Sequence, residues 1–345
     1  MRFIATIFLL LFSITTSAQT DSINSDSQSA EAISPPVANP VVTDPIEEVL
    51  VIGEQPGPGL WKASKGDHVL WIMGTLKPLP KKMTWRSRQV ESVLAQSQEY
   101  ITPPSVNVHL NINAFSKIML LPSLIGIRNN PDGKTLKEII PAELYTRWLA
   151  LKAKYIGRNS SIENWRPIFA ARELYEQAVE KSGLTDETNI MAVLSKIAKE
   201  NKVTKAGPGT TTELDKPKEI IKKFKQMPMD DVACFAKTIT RLETDLEAMR
   251  ARANAWAIGD VAALRQLPDA DQDEICNAAV FNAALAEEHG LQNVPQQKQD
   301  FWIAEAENSL AKNESTFSIL PIIELLKPNG YLAVLRDRGY VIDEP

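Results

Sequence analysis

Three histidines in 345 residues, His68, His109 and His289, leave this chain almost without imidazole. No two share an H-x-x-x-H or H-x-x-E spacing, which excludes the usual helical zinc pair. Cysteine is scarcer still: Cys234 and Cys276, with no C-x-x-C, exclude a zinc ribbon and a thioredoxin-like redox pair. No G-x-S-x-G occurs, so no nucleophile elbow is available for serine hydrolysis. The glycine-rich stretch Gly207-Pro208-Gly209-Thr210-Thr211-Thr212 reads as a loop and lacks the G-K-[ST] of a phosphate-binding loop. Positive charge is not in excess either. The formal net charge is −5 with acids and bases well mixed, which argues against a nucleic-acid footprint and against an anionic-membrane patch. The run Lys216, Lys218, Lys222, Lys223 and Lys225 reads as a solvated helix face. The early apolar run, Phe3 to Phe12, is too short to span a bilayer.

What is present at the N-terminus has the pattern of an export signal. Met1-Arg2 supplies a basic start, Phe3 to Phe12 an apolar core, and Thr16-Ser17-Ala18 a cleavage site with the cut after Ala18. No cysteine follows the cut, so no lipid anchor is expected. The expectation is a periplasmic or secreted bacterial protein with no transmembrane helix in its mature chain. In that setting the even cysteine count suggests a Cys234–Cys276 disulfide, with two buried thiols as the alternative. Residues 19–56 are rich in Ser, Pro, Asp, Glu and Val and read as a disordered tether. The apolar patch Ile46 to Gly53 inside it reads as a short edge strand or a linker segment. Gln55-Pro56-Gly57-Pro58-Gly59 then marks the boundary of a domain covering 57–345.

Inside that domain, strand patterns lie at both ends and helix patterns between them. Leu60 to Lys65 and His68 to Thr75 flank a Lys-Gly-Asp turn, and Pro78 and Pro80 stop the second strand. Tyr100 to Thr102 reads as a strand stopped by Pro103-Pro104. Helices are expected over Arg86 to Gln96, within 110–130, and over Thr135 to Ile156, Ile162 to Lys181 and Met191 to Asn201. Further helices are expected at 272–288 and 299–312. Val232, Phe235, Ile239, Leu242, Leu246, Met249, Ala253 and Trp256 alternate three and four apart. That predicts one long helix with a narrow apolar seam, ended at Gly259 and packed on its own domain rather than in a coiled-coil dimer. Monomer or dimer is left open. Asp230-Asp231 read as the cap of that helix. Strand, helix, strand follow at Phe317 to Leu320, Tyr331 to Arg336 and Tyr340 to Ile342. The expected fold class is α/β, with N- and C-terminal strands joined in a central sheet around a large helical middle region.

Four stretches together resemble one family. They are Leu60-Trp61 through Gly74-Thr75-Leu76-Lys77; Asn164-Trp165-Arg166-Pro167; Ala255-Trp256-Ala257-Ile258-Gly259-Asp260; and the tail Thr316 to Leu320, Asn329-Gly330-Tyr331-Leu332 and Arg338-Gly339-Tyr340-Val341-Ile342. The chain is similar to the TraB/GumN family, which also includes pheromone-shutdown proteins and the Tiki proteases. The resemblance covers roughly 57–345. It implies a metal-dependent hydrolase whose site takes one His from each of two Gly-x-x-His motifs, together with glutamates. A divalent ion such as Zn or Mn held there would lower the pKa of a bound water.

The chain departs from that pattern at the positions that carry chemistry. Gly74 is kept, but Lys77 stands at the first His position. In the last motif Pro321 replaces the glycine and Glu324 the His. The strand expected to end in a glutamate ends in Ile101-Thr102-Pro103-Pro104. The stretch near 207 reads Lys205-Ala206-Gly207, and an expected arginine aligns with Lys298. A protonated lysine is a poor metal ligand at neutral pH. The vestigial site residues are therefore Gly74, Thr75, Lys77, Lys298 and Glu324, with no catalytic residue, metal ligand or cofactor assigned. Lys77 and Glu324 could form an ion pair aided by the Thr75 hydroxyl, or stay apart as solvated charges. The expected function is non-catalytic binding or scaffolding of an unknown envelope protein or peptide. The alternative is a hydrolase, metal-dependent or using Lys77 and Glu324 without metal.

Overall fold

The computed structural model describes residues 57–83, 88–110, 112, 114–266, 275, 276, 279, 288–291 and 293–345. The leader at 1–18 with its cut after Ala18, the tether at 19–56 and most of the helix expected over 272–288 lie outside the described residues. The strands are β1 (Leu60–Lys65), β2 (His68–Thr75), β3 (Leu79–Pro80), β4 (Glu99–Ile101), β5 (Ser105–Leu110), β6 (Leu184–Thr185), β7 (Thr204–Ala206), β8 (Gly209–Leu214), β9 (Ser315–Pro321) and β10 (Val341–Asp343). The first helices are α1 (Arg88–Gln96), α2 (Ala114–Leu124), α3 (Leu136–Ile139), α4 (Ala142–Tyr155), α5 (Pro167–Lys181) and α6 (Ile190–Glu200). They are followed by α7 (Pro217–Gln226), α8 (Val232–Thr244), α9 (Leu246–Ala257), α10 (Val261–Gln266), α11 (Val294–Leu310), α12 (Ile322–Leu326) and α13 (Tyr331–Asp337).

The six-stranded sheet runs β10-β1-β2-β9-β4-β7, so strands from the two ends of the chain meet in its middle. β1 pairs antiparallel with β2 and β10; β2, β9, β4 and β7 are parallel to one another in that order. The hairpin closes through Gly66, whose φ of 62° is open to glycine at no cost. In β9 five successive residues, Thr316 to Leu320, are buried, as a parallel strand covered on both faces must be. The α/β class and the meeting of the two ends follow the expectation.

Three local expectations are corrected. First, the seam from Val232 to Trp256 is split between α8 and α9 at Asp245, which leaves the helical region (φ −117°, ψ 1°). The Asp245 carboxylate there accepts two bonds from Arg252 Nη2, at 2.7 and 2.9 Å. The break lets Phe235, Ile239 and Leu242 enter one core while Ala253 and Trp256 enter another. Second, Gly209 to Leu214 is no loop but strand β8, paired parallel with β5, and that places His109 in a strand too. Ser105 to Leu110 does alternate polar with apolar residues, with Val106 and Val108 buried, whereas Gly209 to Leu214 carries three threonines and gives no such signal. Third, the two long helices expected over Thr135–Ile156 and Ile162–Lys181 are each broken, before Pro141 and before Pro167, because proline cannot continue the preceding helix.

Two cores result. One wraps the sheet with α1, α6, α9, α11, α12 and α13 around Trp61, Trp256 and Trp302; the other joins α3, α4, α5 and α8 around Trp148 and Phe235. The disulfide expectation holds: Cys234 in α8 is bonded to Cys276. Asp231, expected to cap α8, makes no side-chain cap there and instead accepts from the Ile168 N–H at the start of α5 (3.0 Å). Burial pushes its carboxyl above the ordinary range.

Candidate functional site

The parallel pairing of β2 with β9 sets Gly74 beside Leu320 and Thr75 beside Pro321. Both conspicuous sequence positions therefore sit at carboxyl ends of adjacent parallel strands, where α/β proteins gather reactive groups. Gly74 is required by packing: a Cβ there would lie 2.8 Å from Ile322 Cγ1 in α12. Its carbonyl accepts from Trp256 Nε1 at 2.7 Å. The Thr75 hydroxyl donates to the Leu320 carbonyl at 3.2 Å. Three distant stretches thus lock into one corner. Lys77, beyond it, is exposed and makes no hydrogen bond or ion pair among the described residues.

The charged groups collect around α12 and α11, which pack on the same strands. Pro321 starts α12 and puts Glu324 in its first turn, where Lys327 Nζ donates to Glu324 Oε1 at 3.0 Å. Of the two alternatives left open for Lys77 and Glu324, no ion pair forms between them among the described residues: Glu324 takes Lys327, one helical turn away, which needs no long-range registration. Lys298 on α11 is half-buried. Burial lowers its ammonium pKa, and Glu324 acts on it in the opposite sense. Tyr331, at the start of α13, is buried and its phenol is pushed far up by that burial, then by Glu324 and Asp300. Lys298, Glu324 and Tyr331 thus form one electrostatic cluster bordered by Asp300 and Lys327.

Trp302, one turn beyond Lys298, holds this cluster to the sheet. Its ring meets Tyr331 edge-on with centroids 5.3 Å apart. Its Nε1 donates to Ser318 Oγ at 3.0 Å, and that hydroxyl donates to the Ile101 carbonyl at 3.1 Å. A hydroxyl chain in place of a carboxylate therefore links β9 to the end of β4.

Of the five residues singled out from sequence, Gly74 and Thr75 form the strand-end corner, Lys298 and Glu324 belong to the charged cluster, and Lys77 stands apart. Lys327 and Tyr331 were missed. The i, i+3 spacing from Glu324 could have signalled Lys327; for Tyr331 the only signal was Gly330-Tyr331 within the tail motif. The histidines lie elsewhere. His68 Nδ1 is 2.7 Å from the Asn313 carbonyl at the far end of β2, and His109 faces Glu213 across β5–β8.

These groups do not fit a divalent metal. Two ammonium groups, which offer no lone pair, stand beside the Glu324 carboxylate, and Lys327 already donates to it. Among the described residues no three His, Cys, Asp or Glu side chains come together in a group that could hold an ion. No helix of the described residues is long and apolar enough to cross a membrane. A family model described as TraB/PrgY/gumN matches residues 59–344. No curated protein and no solved structure matches the chain.

Proposed function

We propose, from the premise that this chain belongs to the TraB/PrgY/gumN family, that it is a member whose site binds rather than hydrolyses. On this reading it is exported and acts at the bacterial cell envelope, holding an envelope protein or peptide at the surface around Lys298 and Glu324, above the buried Tyr331. The observation that carries the reading is the state of Glu324. At the position where the family resemblance implies an imidazole, a carboxylate is already engaged by Lys327 at 3.0 Å. With lysine at the other motif position, neither a metal-bound water nor its ligands has a place in the proposal.

The test has two arms. Metal analysis of the purified protein is expected to show no stoichiometric zinc or manganese, and a broad peptidase and esterase panel no turnover above blank. Crosslinking to envelope fractions is expected to yield a partner that K298M/E324Q no longer captures. One tightly held ion together with peptide cleavage abolished by E324Q overturns the proposal.

One observation favours a second reading. A half-buried lysine whose pKa is lowered, next to a carboxylate and a phenol, is the chemistry of a general base. A metal-free hydrolase built on it would lose activity in Lys298→Met, and its rate would rise with pH as the ammonium deprotonates. Lys77, exposed and apart, takes no role in that version.

A further inference from the structure

Among the described residues, seven large hydrophobic side chains are exposed, and four of them fall in eight consecutive positions: Ile118 (65 %), Met119 (51 %), Leu121 (46 %) and Ile125 (77 %). They belong to α2 and the turn after it. Such a concentration of aliphatic surface marks an interaction face. α2 packs against α7, and Lys225 Nζ donates to the Ile125 carbonyl at 2.6 Å. Lys225 is thus anchored at the most exposed of the four.

Lys218, Lys222 and Lys225 lie at i, i+4 and i+7 on α7, so they form one stripe. Lys218 and Lys222 are exposed and make no ion pair among the described residues, whereas Lys223 is held by Glu288 at 2.7 Å and Lys216 lies 3.8 Å from Glu219. The helix is firmly placed. Ile221 is buried, and the Arg166 guanidinium binds the carbonyls of Phe224, Lys225 and Met227 at 2.9 to 3.0 Å. An aliphatic helix and a lysine stripe are therefore fixed edge to edge.

We propose that this face seats on an anionic lipid bilayer surface. The α2 side chains would enter the interfacial region while the lysines meet the headgroups, their long stems covering apolar surface on the way. The net charge of −5 does not oppose this, because at physiological salt charges more than roughly 8 Å apart are largely screened and the local stripe governs. A second copy is a poorer occupant: a twofold contact broad enough to cover the whole face would bring both lysine stripes into one interface with no carboxylate of the face to pair them. A protein partner is disfavoured by composition. The four exposed residues include no aromatic, and the charge beside them is lysine, which is depleted in protein interfaces. The proposal is independent of what the surface around Glu324 binds.

Sedimentation of the full chain with phosphatidylcholine vesicles, with and without about one third phosphatidylglycerol, tests it. Binding is expected on the anionic vesicles, weakened by raised salt. K218Q/K222Q should partition roughly thirtyfold less well, two lysines having been removed from the headgroup field. I118S/I125S should also lose binding while keeping the wild-type circular dichroism spectrum. Every variant carries the same N-terminal residues, so the differences report this face alone. Equal partitioning of wild type and K218Q/K222Q overturns the proposal, as does equal binding to neutral and anionic vesicles. Concentration-dependent self-association that I118S/I125S abolishes, with vesicle binding unchanged, would assign the face to a second copy and overturn it too.

Discussion

In the sheet region, long-range buried polar bonds run through neutral groups: Trp256 to the Gly74 carbonyl, Trp302 to Ser318, Ser318 to the Ile101 carbonyl. In the helical middle the tying bonds, buried or partly buried, run through ions. Arg166 feeds the carbonyls that end α7, Arg252 grips Asp245 at the break between α8 and α9, and Glu163 accepts from both Lys152 (2.6 Å) and Trp148 Nε1 (3.1 Å). The difference has a geometric origin. Strands are joined by their own ladder, so an indole N–H suffices to pin a helix to a strand end. Helix ends leave several carbonyls unpaired, and one guanidinium with five donors can satisfy them together. The comparison also bears on the site. Motif residues that position the backbone, Trp256 and Arg166, are hydrogen-bonded in both regions, while lysine and glutamate stand at the positions where the family resemblance implies reacting groups.

The largest test of the helical middle is its covalent link. Replacing Cys234 and Cys276 together by alanine, or reducing the bond, should cost about 4 kcal/mol in urea denaturation, the loop-closure value for their separation of 42 residues. Next comes Arg166→Ala, which strips a charged donor from buried carbonyls and should cost about 3 kcal/mol. Arg166→Lys should recover little of that, because one ammonium cannot reproduce the fork. In the sheet region Trp256→Phe keeps the ring but leaves the Gly74 carbonyl without its indole, a loss of about 2 kcal/mol by the same assay. If the neutral bond proves dearer than the ionic one, the contrast between the regions fails.

The smallest effect is expected at Lys298. Its folded-state pKa is lowered by burial, so the unfolded chain holds the proton more tightly. The cost is full at neutral pH and fades as pH rises through the folded pKa toward the unfolded value of about 10.4. Lys298→Met should therefore be slightly more stable than wild type at pH 7, and melting curves should converge as the solution becomes alkaline. A wild-type advantage at neutral pH would show that Glu324 outweighs burial.

Much of the fold was legible in the residues. The hairpin around Gly66, the strand stopped by Pro78, the buried run of β9 and the closing helix at Tyr331 all follow from period and punctuation. So did the disulfide, from two cysteines in a chain with an export-type leader. The breaks at Pro141 and Pro167 were written in plain proline but were overridden by apolar periodicity, which runs through a break without registering it. The pair β5–β8 was missed because its stability comes from a partner about a hundred residues away.

Sequence by itself determined which side chains stand at the motif positions: with three histidines and no paired spacing, the chain lacks the imidazole set that the family resemblance implies. It could also place Gly74 at a strand end and Glu324 at a helix start, since both are local matters of backbone and proline. Only tertiary structure decided who meets whom. Side-chain pairing depends on where separate elements cross, so Glu324 came within electrostatic range of Lys298 and Tyr331, Asp231 served α5 rather than its own helix, and an ordinary lysine run came to lie along an exposed aliphatic one.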